Sequence, residues 1–261
     1  MFEFKTFIPH IELEKWIKSY WIVDYKRSNL IREKTIISYD NVCLVFMIDS
    51  SNLKRNGIYI YPPTLNKQVI IFDEDLYYID VSLYPGVFYK LFGIPISELE
   101  NKVYTIEELS LKFDLSILET LFNVKGNINS TIYHLENYLF KIFSDFEEDA
   151  FLMNIYQLNK NHNLDNFYLQ NRLSVRQVQR KVKDFTGMSP KSIERINRFY
   201  DTLKCIKKNK NFLDFGNIAL ENNFYDQSSF IKEFKFFTGL TPKQFLENTD
   251  NFLQYKCNIF C

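Results

Sequence analysis

Cysteine, glycine and histidine are scarce in this chain of 261 residues, and long apolar runs are missing. Each shortage excludes something. The four cysteines (Cys43, Cys205, Cys257 and Cys261) form no CxxC pair and read as reduced, inert thiols of an intracellular chain. Cys257 and Cys261 stand four apart, but neither a second pair nor a nearby histidine completes the four-ligand set of structural zinc. The three histidines, His10, His134 and His162, do not cluster, and no phosphate-cradling glycine loop occurs. No catalytic, metal or cofactor-binding residue is therefore assigned, and the chain reads as a non-enzyme. Its seven glycines argue against a loop-dominated fold. The longest apolar run, Val42 to Ile48, falls far short of the ~20 residues that span a bilayer. The opening residues show no charged-then-apolar secretory pattern. The expectation is a soluble cytoplasmic protein without a membrane partner.

What is abundant is aromatic: 26 Phe and 17 Tyr promise bulky cores. A net charge of zero hides a division. Residues 1–150 hold 15 Lys/Arg against 22 Asp/Glu, whereas residues 151–261 hold 17 against 10. Charge segregated in this way suggests two domains, the basic one facing a polyanion.

The first hundred residues read mostly as β. Thr35–Tyr39, Val42–Ile48, Gly57–Tyr61, Val69–Phe72 and Tyr77–Leu83 are β-branched and aromatic runs, bounded by Asp40-Asn41, Asp49–Asn52 and Pro62-Pro63. Short strands so spaced suit an antiparallel barrel or sandwich, with a short helix over Leu13–Tyr20 ahead of them. Val87–Phe92 reads as a helical turn stopped by Gly93. From Ile106 the periodicity is helical, with apolar faces at Ile117, Leu118, Leu121 and Phe122, then at Ile132, Leu135, Leu139, Phe140 and Phe143. The stretch Ile128–Phe143 offers a face for dimerisation or for coupling the two halves. A further helix carries Phe151, Leu152, Ile155, Tyr156 and Leu158, with Glu147-Glu148-Asp149 at its start, where carboxylates suit the helix dipole.

A repeat organises the rest. Val178–Ile193 and Phe230–Phe245 align at an offset of 52, with six of sixteen positions identical, among them Phe185/Phe237, Thr186/Thr238, Gly187/Gly239 and Pro190/Pro242. Each copy has the same grammar. Ser174 and Asp226 are N-caps, apolar residues follow at 178/182/185 and 230/234/237, and Gly187 and Gly239 supply left-handed C-caps. Ser189-Pro190 and Thr241-Pro242 then open the next helix. Ahead of each capped helix lies a shorter one, Leu164–Gln170 and Gly216–Asn222. A tight turn follows, with Asn171 and Asn223 at equivalent places as residues that tolerate positive φ. Helix, turn, capped helix, twice over, is a pair of helix-turn-helix units.

Arg176, Gln179, Arg180 and Lys183 share one face of the first capped helix, and Gln227, Ser228, Ser229 and Lys232 lie on that of the second. Arginine pairs with guanine O6/N7 and glutamine with adenine N6/N7, so these types suit base edges. A solvated basic face would explain one such helix; two copies at one offset point to DNA. The long helix expected from Lys191 to about Lys208 would be roughly 27 Å at ~1.5 Å per residue. It would hold the two reading helices about one DNA turn apart, on successive major grooves.

These residues closely resemble the DNA-binding domain of the AraC/XylS family over about Phe151–Asn248, most strongly in the stretch Ala219–Pro242, ALENNFYDQSSFIKEFKFFTGLTP. The resemblance implies contacts to bases or phosphates from Arg176, Gln179 and Arg180, and from Gln227, Ser228, Ser229 and Lys232. Three positions depart from the family pattern: Lys232 stands where arginine is usual, Asn223 where glycine is, and Phe167 where alanine is. Lysine cannot make arginine's bidentate fork. The N-terminal half is similar to a β-rich domain that precedes this module in one branch of the family, through Tyr20-Trp21, Tyr39–Val42, Leu83–Gly86 and Leu91–Leu99. That implies a cupin-like barrel acting as sensor or dimerisation domain.

The expected architecture is thus α+β in two domains: a mostly-β barrel or sandwich followed by helices, then an all-α domain of two helix-turn-helix units joined by a long helix. The expected bounds are 1–105 for the sensor, 106–150 for a helical linker or dimerisation region, and 151–250 for the DNA-binding domain. The expected function is sequence-specific transcription regulation, as in an activator, with a double-stranded promoter or operator site as partner. RNA polymerase, a small-molecule effector and a second copy of the chain stand open as further partners. The rival reading is a partner- or ligand-binding protein whose helix-turn-helix pair no longer binds DNA.

Overall fold

The structure is a computed structural model describing residues 2–26, 32–49, 55–72, 74–147, 149–161, 164–208 and 214–253. Cys257, Cys261, His162, Glu148 and the Ser50–Asn52 boundary lie outside the described residues. The N-terminal half is built from strands β1 (Phe2–Phe7), β2 (Ile17–Tyr25), β3 (Arg32–Ile36), β4 (Cys43–Ile48), β5 (Gly57–Tyr61), β6 (Gln68–Phe72), β7 (Leu76–Leu83) and β8 (Tyr104–Thr105). Six of them form an antiparallel sheet in the order β1-β2-β7-β4-β5-β8, while β3 and β6 pair separately as a two-stranded sheet. No barrel closes among the described residues; of the two expected β architectures, the sandwich is the one found.

Strands β4 and β7 explain the long apolar runs, because they are buried on both faces. Leu44, Phe46, Ile79 and Val81 join the core under helices α2 (Ser116–Asn123) and α3 (Ile128–Ile142), with Leu121, Leu135 and Leu139. The apolar face of α3 is spent here, and Phe143 just beyond it stacks on Trp16 at 4.8 Å. The opposite face, with Val23, Val45 and Tyr78, is covered by Ile36 and Phe72 of the β3–β6 pair. A mostly apolar-lined cavity of about 90 Å³ remains between those layers, bordered by Trp21, Met47, Tyr61 and Ile70.

Two expectations need correcting. Leu13–Tyr20 is not a helix: residues 11–16 turn and Ile17 begins β2. The nine residues of β2 pair with β1 on one side and β7 on the other, and that non-local pairing overrides the local spacing. The helical periodicity read from Ile106 is also premature; residues 106–115 are turns and irregular chain, and α2 starts at Ser116. The glycine-stopped turn is present as helix α1 (Val87–Phe92), with Gly93 at φ 69°.

Helices α4 (Ala150–Asn161), α5 (Leu164–Gln170), α6 (Val175–Thr186), α7 (Pro190–Lys208), α8 (Phe215–Glu221), α9 (Gln227–Thr238) and α10 (Pro242–Glu247) make the second half. They share a core that also takes in Ile37, Leu65 and Tyr89 from the first half. The seam is continuous. Tyr89 lies 4.3 Å from Phe185, Ser97 Oγ donates to Asp184 Oδ1 at 2.7 Å, and Tyr200 Oη donates to the Ser38 carbonyl at 2.8 Å. Thr35 bridges to Phe252, and Lys34 Nζ donates to the Asp250 carbonyl at 2.6 Å.

Two measurements follow from this packing. Asp80 is buried on the inner face of β7, where it accepts from Ser82 Oγ at 2.9 Å and lies beside Tyr78 and Cys43. Burial pushes its carboxyl up to about 6, against an ordinary 3.8. The folded state therefore binds this proton more tightly than the unfolded chain. The stability that Asp80 contributes is full below the ordinary value and falls as pH rises towards 6. Asp80→Asn should remove that fall, gaining up to about 3 kcal/mol on the parent between pH 4 and pH 7 at ~1.4 kcal/mol per unit. Urea midpoints at the two pH values check this; parallel pH dependences in parent and variant would refute it.

Gly187, at φ 72°, ends α6 directly against the first half: a Cβ there would sit 2.6 Å from Ile96 Cγ2 and 3.3 Å from Pro63 Cγ. Gly93 has a similar φ with nothing within 4 Å. Alanine at either site pays the left-handed cost of ~1–2 kcal/mol. Gly187→Ala should lose a further ~1–3 kcal/mol to overpacking. Equal losses in denaturant unfolding would show that the seam yields without cost.

Candidate nucleic-acid interface

The repeated residues owe their recurrence to cap geometry. Ser174 caps α6 in a reciprocal box: the Gln177 N–H donates to Ser174 Oγ, and the Ser174 N–H donates to Gln177 Oε1 at 3.0 Å. Asp226 does the same for α9 with Ser229, whose N–H reaches Asp226 Oδ1 at 2.7 Å. That bond, more than any other contact, holds the Asp226 carboxyl below the usual carboxylate range. Thr186 and Thr238 each donate to the carbonyl four residues back and accept the N–H two residues on. Gly187 and Gly239 close both helices in the left-handed region. The shared Phe-Thr-Gly is thus a complete helix stop. Val178, Val182 and Phe185 in α6, and Phe230, Phe234 and Phe237 in α9, are all buried.

The turns differ from expectation. Asn171 pairs structurally with Asn222, not with Asn223. Both side-chain amides donate to the carbonyl four residues earlier and finish the first helix of their unit. Positive φ falls on Arg172 (48°) and Asn223 (59°). One residue separates Arg172 from its cap, and two separate Asn223 from its cap, so the second turn is longer. Of those two, Phe224 is buried against Phe230 at 5.4 Å and Tyr225 points outward.

Arg176, Gln179, Arg180 and Lys183 are all exposed on one face of α6. They border an open concavity of about 870 Å³ whose other walls include Tyr168 of α5 and Lys191 at the start of α7. Gln179 Nε2 donates to Tyr168 Oη at 3.4 Å. Tyr168 and Lys191 were not singled out from the sequence, although Lys191 stood in the repeat beside Lys243. On α9, Gln227, Ser228 and Lys232 are exposed, whereas Ser229 is half-buried and its hydroxyl donates to the Asp226 carbonyl. Ser229 is a capping residue in this structure, with no hydroxyl proton left for a ligand.

Helix α7 joins the units, and its Arg195 and Arg198 grip α9 through Glu233, at 3.0 Å and 2.8 Å. Those two arginines are half-buried and engaged within the domain. The remaining charge is uneven. Residues 151–208 carry twelve Lys/Arg and four Asp/Glu, while residues 214–253 carry three and six. The basic character of this half belongs to its first unit and the joining helix α7.

Among the described residues, no group of three His, Cys, Asp or Glu is placed to hold a metal ion, and no helix is long and apolar enough to cross a membrane. Residues 5–105 match the model of a domain of unknown function, DUF6597. No curated protein sequence matches the chain significantly. Solved structures of ToxT from Vibrio cholerae align over most of it. An apo variant is 13% identical, with a TM-score of 0.44, covering 87% of this chain and 97% of its own. A second crystal form is 14% identical, with a TM-score of 0.42, covering 95% and 97%. Residues 5–105 thus match a DUF6597 domain, and two capped helix-turn-helix units follow it in the same chain.

Proposed function

We propose that this chain is a sequence-specific DNA-binding transcription regulator, gripping duplex DNA mainly through its first helix-turn-helix unit. One observation carries this reading: Arg176, Gln179, Arg180 and Lys183 stand together, exposed, on a doubly capped helix whose opposite face is buried. Recognition helices of this kind enter the major groove with their N-terminal residues on base edges. Arg176 and Arg180 are the guanine readers, and Gln179, held by Tyr168, is the adenine reader. Lys183 and Lys191 flank them as phosphate contacts. In the second unit, Gln227, Ser228 and Lys232 read the next groove. Glu233 holds that helix at a fixed attitude to α7. The N-terminal sandwich acts as sensor or dimerisation domain, and its apolar-lined cavity offers a place for a small apolar effector. RNA polymerase is the natural partner of a bound activator. No step of catalysis enters this reading.

Selection from a random duplex library tests it. Two conserved blocks centred about 10 base pairs apart are expected, with the stronger block under the first unit. Arg180→Ala should weaken binding to the selected site by ~1–3 kcal/mol, roughly 5- to 150-fold, with the fold intact. Equal affinity of variant and parent would remove Arg180 from the interface. No enrichment even at low salt would favour a protein- or ligand-binding role instead.

A further inference from the structure

The second unit has the shape of a reading unit but little charge with which to hold DNA. Its exposed face offers Lys232 and Lys235, while Asp226 and Glu221 are exposed nearby. The first unit carries a cation, Arg172, at the left-handed position of its turn; the second has Asn223 there. In exchange, its longer turn displays Tyr225, which is 94% exposed and stands immediately before the cap of α9. The residue ahead of it, Phe224, fills the space beneath, so the tyrosine ring is held out of the core.

We propose that Tyr225 is the backbone anchor of the second unit, its ring lying against a deoxyribose and its hydroxyl donating to a phosphate oxygen at the edge of the groove that α9 enters. This rests on the DNA-binding reading above. The first residues of a recognition helix meet base edges, so the residue before the cap lies beside the sugar–phosphate wall. Tyrosine is among the side chains that donate to phosphate. A neutral donor also suits the place. Lysine or arginine at 225 would pair with the adjacent Asp226 carboxylate and draw it away from the α9 N-terminus, whereas a phenol leaves the cap intact.

The test uses the full chain and its selected duplex, with Tyr225→Phe and Tyr225→Ala measured over a range of salt concentrations. Tyr225→Phe should bind on the order of 10-fold more weakly, the loss of one hydrogen bond from a neutral donor to a charged acceptor. Tyr225→Ala should be weaker still. Both losses should be the same on duplexes altered at single base pairs, and the slope of affinity against salt should not change, because no counterion is released by a neutral donor. Unfolding curves should match the parent, since the side chain is exposed. Unchanged affinity in both variants would overturn the proposal, as would a loss confined to one base pair, which would make Tyr225 a base reader. Should the parent itself bind no duplex, with Arg180→Ala equally without effect, the DNA reading would fall and Tyr225's role with it.

Discussion

The arrangement of α6 and α9 depends on the close approach of the end of each to the N-terminal half. Pro63 and Ile96 press on Gly187 at the end of α6, and Lys67 reaches Gly239 at the end of α9. Between them, Leu65 packs into the helical core, and its carbonyl accepts from Ser38 Oγ. A side chain at Gly187 would meet packed carbon on both sides, so the absence of a Cβ there admits the whole seam, including the Tyr89–Phe185 contact and the Ser97–Asp184 hydrogen bond. The helices are thus tied twice. Within their own domain, α7 and the Arg195/Arg198–Glu233 bridge fix one to the other; from outside, residues 63–67 span their C-terminal ends. Partly buried pairs of this kind are costly to break, because each leaves an uncompensated charge behind.

Duplication has kept the frame of the two units and divided the chemistry. Caps, helix stops and buried stripes recur nearly residue for residue, since they answer to backbone geometry that both units share. Charge answers to the ligand instead, and it has been sorted. The first unit keeps Arg176, Arg180 and Lys183 exposed on its outer face, while the second commits Asp226 to capping and Glu233 to bridging. Electrostatic attraction to a polyanion falls with distance over ~10 Å at 0.1 M salt. Under the DNA-binding proposal, the first unit would govern encounter and the second would act once the chain is already seated.

The helical half was far more legible in the sequence than the β half, for a physical reason. Caps, glycine stops and apolar spacing are local, so the bounds of α5 and α7 and the Gly187 and Gly239 stops could be read from neighbouring residues alone. Errors arose where one residue changes a turn. Asn171 and Asn223 align at the offset of the repeat, but the longer second turn pairs Asn171 with Asn222. Ser229, expected as a contact residue, also takes part in the reciprocal cap with Asp226, a role its residue type alone does not show. In the β half the strands β4 to β7 were legible by composition, whereas β1 and β2 were not, since their identity comes from partners far along the chain.

That same non-local pairing explains the polar patch between the apolar layers of the first half. Asp80, Ser82 and Cys43 lie on one face of adjacent strands, with Cys43 opposite Ser82 and Val45 opposite Asp80. As stabilising groups they are poor choices, because burial penalises the charged form of Asp80. Their value lies in register. A slip of β7 by one residue would exchange its faces and drive Asp80 out of its contacts with Ser82 and Tyr78 into the largely apolar layer of Leu44, Phe46 and Leu135. Ile79 and Val81 would then take its place among the polar groups. Strands apolar on both faces carry little alternation to fix their own register, and one buried carboxylate with matched donors supplies what the hydrophobic pattern lacks.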